Sequence, residues 1–230
     1  MGEEIINASV LGFPPLLVTE ELSGGRKVTK AEAIRIIVPC AEAYHKNLEN
    51  TNLLIAHARN SHSEVQFFEV VFLPRHFLHL TGVKFPEDNE LRSVEFYQKC
   101  LQHRLSESDF DMAPNGTTAQ KLSVLPSVLK RNLSAKMIGD YKDRSIKLYT
   151  EKVAGTISAC IGFVYEDKIG YNSPNTVLKK DTRIATRQEY ARILAIYQKG
   201  TTESQYSSPV YVAKDIDWEE ILNLHTVSEA

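Results

Sequence analysis

An apolar run from Val65 to Leu73 limits what this chain can fold into more than any other stretch does. Its length and its aromatic and β-branched residues predict a buried strand. Pro74 ends that strand, and Gly82 ends the turn that follows it. Because imidazole titrates near neutral pH, a rigid strand that leads into basic side chains of this kind is one way to build an acid–base site. The turn carries three such side chains, those of Arg75, His76 and His79.

Helical periodicity is concentrated in the first part of the chain. Thr29 and Glu32 form a capping box at the start of the first predicted helix, which Pro39 should bend or split. Pro126 interrupts the third predicted helix. The helices are predicted over residues 29–47, 90–105 and 117–129, with an acid-led helix after Asp215.

Strand-like runs replace the helical pattern after residue 136. Three of them lie within residues 136–166 and are close enough in sequence to form an antiparallel meander. Residues 168–182 are predicted as a loop, and residues 189–198 fit a helix or a strand. Further strands are predicted over 52–58, 65–73 and 209–213, the first two as an antiparallel pair. The sequence therefore predicts an α+β fold, with helices packed on an antiparallel β-sheet meander.

Length and composition favour one globular domain. The chain has 230 residues, 43% of them hydrophobic and 24% charged, which is enough for a core. We expect an irregular lead-in over residues 1–28 and a single domain over 29–230. No apolar stretch is long enough to span a membrane, and the acidic N-terminus is unlike a secretory signal, so a cytoplasmic protein is expected. The odd number of cysteines fits reduced core thiols, at Cys40, Cys100 and Cys160.

Charge is spread unevenly along the sequence. Residues 113–200 hold 15 Lys/Arg against 7 Asp/Glu, while the segments on either side are acidic. This basic middle can form one positive face for a polyanion. The alternative is that its lysines are scattered over exposed helices and strands and form no patch.

Several chemistries lack a sequence signature. Asp109 and Asp111 form a pair without the third ligand of a calcium loop. The seven histidines show no zinc-binding spacing, and no phosphate-binding loop or nucleophile elbow is present. Neither a metal nor a cofactor is therefore expected.

Short motifs along residues 50–210 resemble those of a known family. The chain is similar to the fourth group of phage-associated nucleases that are classed with barnase, EndoU, colicin RNases and RelE toxins. The resemblance implies a barnase/RelE-like fold, metal-independent cleavage of RNA and, as partners, RNA and an antitoxin or immunity protein. The matching residues are Phe77, His79, Leu80, Thr81, Gly82, Phe96, Tyr97, Lys121, residues 139–141, residues 172–178, Asp181 and Arg183.

His79 is the first candidate for catalysis. Metal-independent RNA cleavage needs a base, an acid and cations that stabilise the charged phosphorane, and imidazole suits the first two roles. Arg75, four residues before His79, and Lys121, near a helix start, are the candidate cations. The alternative is a structural His79 inside the core and a solvated Lys121. Candidate contacts to the RNA backbone are Ser173, Thr176, Lys179, Lys180 and Arg183.

Two functions follow from these residues. The first is a metal-independent endoribonuclease of phage or toxin type that cleaves RNA by acid–base transesterification. The second is a non-catalytic module that keeps the fold and binds a protein or RNA. A nuclease needs His79 and at least two cations open to one groove, whereas a binding module would bury His79.

The basic middle of the chain generates a prediction about salt. RNA binding should weaken steadily between about 50 mM and about 200 mM salt, because each phosphate that a lysine neutralises releases a counterion. Fluorescence anisotropy of a labelled RNA measures this dependence. Binding that is absent at low salt, or that does not change with salt, would count against a role in nucleic-acid recognition.

Overall fold

The computed structural model describes residues 28–86, 92–142 and 149–228. In these ranges the chain forms helices α1 (Lys30–Asn47), α2 (Phe77–Thr81), α3 (Ser93–Leu101), α4 (Thr117–Val128), α5 (Thr182–Ala185) and α6 (Trp218–Ser228). Its strands are β1 (Thr51–Ala58), β2 (Gln66–Phe72), β3 (Met137–Asp140), β4 (Lys152–Gly155), β5 (Cys160–Glu166), β6 (Tyr171–Leu178), β7 (Tyr190–Gly200) and β8 (Pro209–Val212). The predicted α+β class is confirmed, while the lead-in predicted over residues 1–28 lies, except for Val28, outside the described residues.

The eight described strands belong to one sheet, in the order β1-β2-β6-β5-β4-β3-β7-β8. β1 also pairs with β7, so that seven of the strands form a closed circuit of pairings. β2 and β6 pair in parallel, and the other pairs are antiparallel. The meander predicted over residues 136–166 is confirmed as β3, β4 and β5.

Two segments differ from the sequence prediction. The predicted loop over residues 168–182 contains β6, which pairs with β5 along its length. Pro174 misled the prediction because proline usually excludes a central strand, but it is tolerated at a bulge, and the β5–β6 register shifts beside it. The ambiguous segment over 189–198 lies, from Tyr190 onward, in the eleven-residue strand β7, which has β1, β3 and β8 as neighbours.

The predicted helices form with shifted ends. The Thr29–Glu32 capping box is present, and α1 continues through Pro39 without splitting. α4 likewise contains Pro126. α3 ends at Leu101 rather than at residue 105, and the chain leaves the helix through His103, whose φ is 54°.

The main core lies between the helices and one face of the sheet. From α1 it receives a buried stripe at helical spacing, Ala33, Ile37, Cys40, Ala41 and Tyr44. A smaller cluster on the other face of β1 packs Leu54 and Ala56 with Ile221 of α6. The three cysteines are buried and unpaired, as predicted. None of the described helices has the length and apolar character needed to cross a membrane.

Tyr44 fixes the place where β2 ends. Its hydroxyl donates to the carbonyl oxygen of Leu73 at 2.8 Å, and its ring packs edge-on against the rings of Phe72, Phe77 and Tyr97. A 3₁₀ turn over Pro74–His76 then leads directly into α2. The basic turn predicted after the strand is thus attached to the centre of the core.

Candidate active site

A cleft of about 920 Å³ opens between α2, α4 and the end of β6. Its charged side chains are all basic: no aspartate or glutamate is among the described residues that line it. The electrostatic potential in the cleft therefore favours an anion such as a phosphate group. The basic lining residues are His79, Lys84, Lys121, Lys179 and Lys180.

His79 lies on the exposed side of α2, while Phe77 and Leu80 of the same short helix are buried. The removal of part of the imidazole from water lowers the pKa of His79, and the nearby Lys121 ammonium lowers it further. The carboxylate of Glu166 acts in the opposite direction. Because its pKa lies below the ordinary 6.5, His79 is a neutral imidazole at pH 7 and able to accept a proton.

Lys121 reaches the cleft from α4. Its Nζ donates to the carbonyl oxygen of His79 at 2.7 Å, which leaves the other ammonium protons available to a ligand. Partial burial of the ammonium lowers the pKa of Lys121 to about 8. The cleft thus holds a base that is neutral and an acid that is charged at the same pH.

Gly82 leaves the space that allows the Lys121 side chain to reach His79. It leaves α2 with φ of 74°, a conformation that favours glycine, and an added Cβ would lie 2.7 Å from Cδ of Lys121. Thr118 of α4 donates its hydroxyl to the carbonyl oxygen of Gly82 at 2.6 Å. Within the His-Leu-Thr-Gly motif, the buried Thr81 donates to Leu78 at 2.7 Å. The motif therefore has a structural role, holding α2 against α4, as well as supplying His79.

The β6 side of the cleft carries a buried hydroxyl. Thr176 is 1% exposed, and within the described part of the chain its Oγ1 has no hydrogen-bond partner. It lies opposite Gly162 of β5, where a Cβ would come within 2.7 Å of the Thr176 methyl group. Lys179 and Lys180 follow directly after β6.

Three predicted site residues lie elsewhere. Arg75 and Ser173 do not line the cleft; both bind the carboxylate of Glu166, at 2.8 Å from Arg75 Nη2 and 2.5 Å from Ser173 Oγ. Arg183 pairs with Asp181 at 2.6 Å, where Asp181 caps α5. The structure thus brings together His79, Lys121, Thr176, Lys179 and Lys180, and not Arg75, Ser173 or Arg183.

Two functional candidates were missed in the sequence. Lys84 follows the His-Leu-Thr-Gly motif by two residues, so its position next to Gly82 was an available signal. Glu166 had no local signal, because it meets Arg75 across 91 residues of sequence.

The basic middle of the chain is partly neutralised. Among the described residues, four of its cations are paired with carboxylates, in Lys142–Glu189, Lys152–Asp140, Arg183–Asp181 and Lys199–Glu69. Lys121, Lys179 and Lys180 line the cleft, where Lys84 joins them. Part of the positive charge of the basic middle therefore lies at the cleft.

The acidic residues considered as metal ligands have other partners. Asp109 pairs with Lys99 at 2.5 Å, and Asp111 pairs with Lys30 at 2.8 Å. Across residues 28–86, 92–142 and 149–228, no three His, Cys, Asp or Glu side chains form a group that could hold a metal ion.

One comparison with known proteins identifies a family for most of the chain. A family model described as phage-Barnase-EndoU-ColicinE5/D-RelE like nuclease4 matches residues 36–215, more than three quarters of the chain. The search of curated proteins and the search of solved structures each returned no match.

Gly82 and Gly116 provide a matched pair for testing the contact with Lys121. Both have positive φ, 74° and 77°, but a Cβ on Gly116 would meet nothing within 4 Å. We expect either glycine-to-alanine change to cost about 1–2 kcal/mol in the free energy of unfolding. Only Gly82→Ala should displace Lys121 toward solvent and raise its pKa from about 8. Denaturant unfolding and a ¹³C NMR titration of the lysine side chains measure the two effects, and an unchanged pKa of Lys121 in Gly82→Ala would contradict the contact.

Proposed function

Since the chain belongs to the family of phage-Barnase-EndoU-ColicinE5/D-RelE-like nucleases, we propose that it is a metal-independent endoribonuclease that binds RNA in the cleft beside α2. Membership of the family indicates a nuclease in general; the choice of RNA and the mechanism are the proposal. The observation that carries it is that an exposed His79 and Lys121 line one cleft, with Lys121 Nζ bonded to the backbone carbonyl oxygen of His79. The described lining of this cleft has no acidic side chain.

In the proposed reaction, His79 is the base and Lys121 the acid. His79 accepts the proton of the ribose 2′-hydroxyl, and the 2′-oxygen forms a bond to the adjacent phosphorus. The bond from phosphorus to the 5′-oxygen breaks, and that oxygen takes a proton from the Lys121 ammonium. The products are a 2′,3′-cyclic phosphate and a 5′-hydroxyl end. Two groups whose environments set their pKa values on either side of neutral pH suit these opposite roles.

The other cations of the cleft bind the RNA backbone in this proposal. Lys84, Lys179 and Lys180 supply positive charge around the reacting phosphate, while Thr176 lines the same cleft with its hydroxyl buried. In this proposal Arg183, which lies outside the cleft and pairs with Asp181, contacts the RNA backbone further along the strand. An acidic antitoxin or immunity protein would complement the same lysines.

The exposure of His79 favours this function over the binding-module alternative. A module that only kept the fold would have no reason to expose His79 in the same cleft as Lys121, Lys179 and Lys180. Its placement in one cleft with these lysines supports acid–base cleavage of a phosphodiester.

His79→Ala tests the base. Cleavage of total RNA in the presence of EDTA should fall by about 10²-fold or more, while melting temperature and RNA affinity remain close to those of the parent. His62→Ala is the matched control, because His62 is exposed in a polar turn outside the cleft. A His79→Ala protein that cuts as well as the parent would remove His79 from the mechanism, and a parent that binds RNA without cutting it would support the binding module.

The pH profile tests the acid. Cleavage should increase with pH as His79 loses its proton below pH 6.5, and should decrease as Lys121 loses its proton near pH 8. Lys121→Arg keeps the positive charge but is a poor acid, so it should bind RNA and cleave at least about 10-fold more slowly. Lys121→Met should lose both affinity and rate. A Lys121→Arg protein with the parental rate and no alkaline decrease would show that Lys121 stabilises charge and donates no proton.

A further inference from the structure

Glu166, the last residue of β5, holds together groups from distant parts of the chain. Its Oε2 accepts a hydrogen bond from Arg75 Nη2 at 2.8 Å, and its Oε1 accepts one from Ser173 Oγ at 2.5 Å. The same Oε1 lies 3.0 Å from Nε2 of His76. Arg75 and His76 belong to the 3₁₀ turn that leads into α2, so one carboxylate joins this turn to the β5–β6 hairpin.

His76 is part of this link rather than of the cleft. It is 2% exposed, and its Nδ1 accepts a hydrogen bond from the backbone N–H of Leu73 at 3.2 Å. Nδ1 therefore has no proton of its own in the neutral ring, and the proton lies on Nε2, which is close to Glu166 Oε1 without hydrogen-bond geometry. Burial lowers the pKa of His76 to about 4 despite the nearby carboxylate of Glu166, so the ring stays neutral at the pH of the proposed reaction.

We infer that Glu166 is a positioning residue for cleavage, which fixes the turn that carries His79 and keeps a negative charge next to that histidine. This inference rests on the proposed function. Glu166 does not line the cleft, so it acts through Arg75, His76 and the field at His79 rather than on the substrate.

The charges around His79 show what Glu166 contributes. Lys121 approaches from α4, Lys179 and Lys180 lie in the cleft after β6, and Arg75 lies in the 3₁₀ turn that precedes α2. Partial burial alone would raise the pKa of Glu166, but the hydrogen bonds from Ser173 and Arg75 outweigh it and leave that pKa below its usual value. Glu166 thus stays ionised at neutral pH and opposes both burial and Lys121 in setting the basicity of His79.

The test compares Glu166→Gln with Ser173→Ala. Glu166→Gln removes the charge at nearly constant size, whereas Ser173→Ala removes one hydrogen bond and leaves the charge in place. An NMR titration of the His79 ring protons, assigned by their loss in His79→Ala, should show a lower pKa in Glu166→Gln and little change in Ser173→Ala. The plateau rate of RNA cleavage should fall roughly tenfold in Glu166→Gln, its acidic limb should move to lower pH, and KM should change little.

A second variant covers the case in which Glu166→Gln fails to fold because Arg75 loses its partner. The double variant Arg75→Met with Glu166→Gln removes both charges together and should still lower the pKa of His79. A parental His79 pKa in a folded variant that lacks the Glu166 carboxylate, or a loss of rate that follows only the melting temperature, would overturn the positioning role. A parent that never cleaves RNA would overturn the proposed function itself, whereas a cleaving parent matched by Glu166→Gln in rate and pH profile would overturn the role of Glu166 alone.

Discussion

The cleft depends on α2, a helix that is too short to be stable without tertiary contacts. α2 has five residues, and isolated helices shorter than about 12–15 residues are marginal in water. Its position is therefore set by what binds its two ends. At the first end, Tyr44 holds the carbonyl oxygen of Leu73 and Glu166 holds the following turn; at the second, α4 holds the carbonyl oxygens of His79 and Gly82. The contacts that fix α2 are the ones that place His79 and Lys121 in one cleft.

Local signals in the sequence predicted local structure well. The strand before Pro74, the Thr29–Glu32 capping box and the three-strand meander form as predicted, because each depends on residues that are close in sequence. β6 was missed because Pro174 conceals a strand whose bulge is defined only by its partner β5. β7 could not be assigned because its partners β1 and β3 lie far away along the chain.

The candidate site shows the same division. His79 and Lys121 were suggested by a motif and by a helix start, and they do lie in one cleft. Arg75 has the spacing of a partner for His79, yet its guanidinium binds Glu166, 91 residues away, which no sequence pattern indicated. Arg183 also pairs with a carboxylate, but its partner Asp181 is only two residues before it and could have been noticed in the sequence. The features that the sequence could not reveal, such as the Arg75–Glu166 contact and the partners of β7, depend on residues that are far apart along the chain.

The closed circuit of strand pairings also limits how another protein can approach. Within the described part of the chain, each strand of the circuit has a neighbour on both sides, and only the four-residue β8 has a single neighbour. Many inhibitors and aggregating chains attach by adding a strand to an exposed sheet edge, which requires a row of unpaired backbone groups. β8 is four residues long and is no part of the described cleft lining, whereas β2 and β6 are joined by one residue pair, Val70 and Asn172. A strand added to β8 would therefore leave the cleft lining uncovered, and a protein that binds the cleft through its lysines would depend for selectivity on matching individual side chains rather than on backbone pairing.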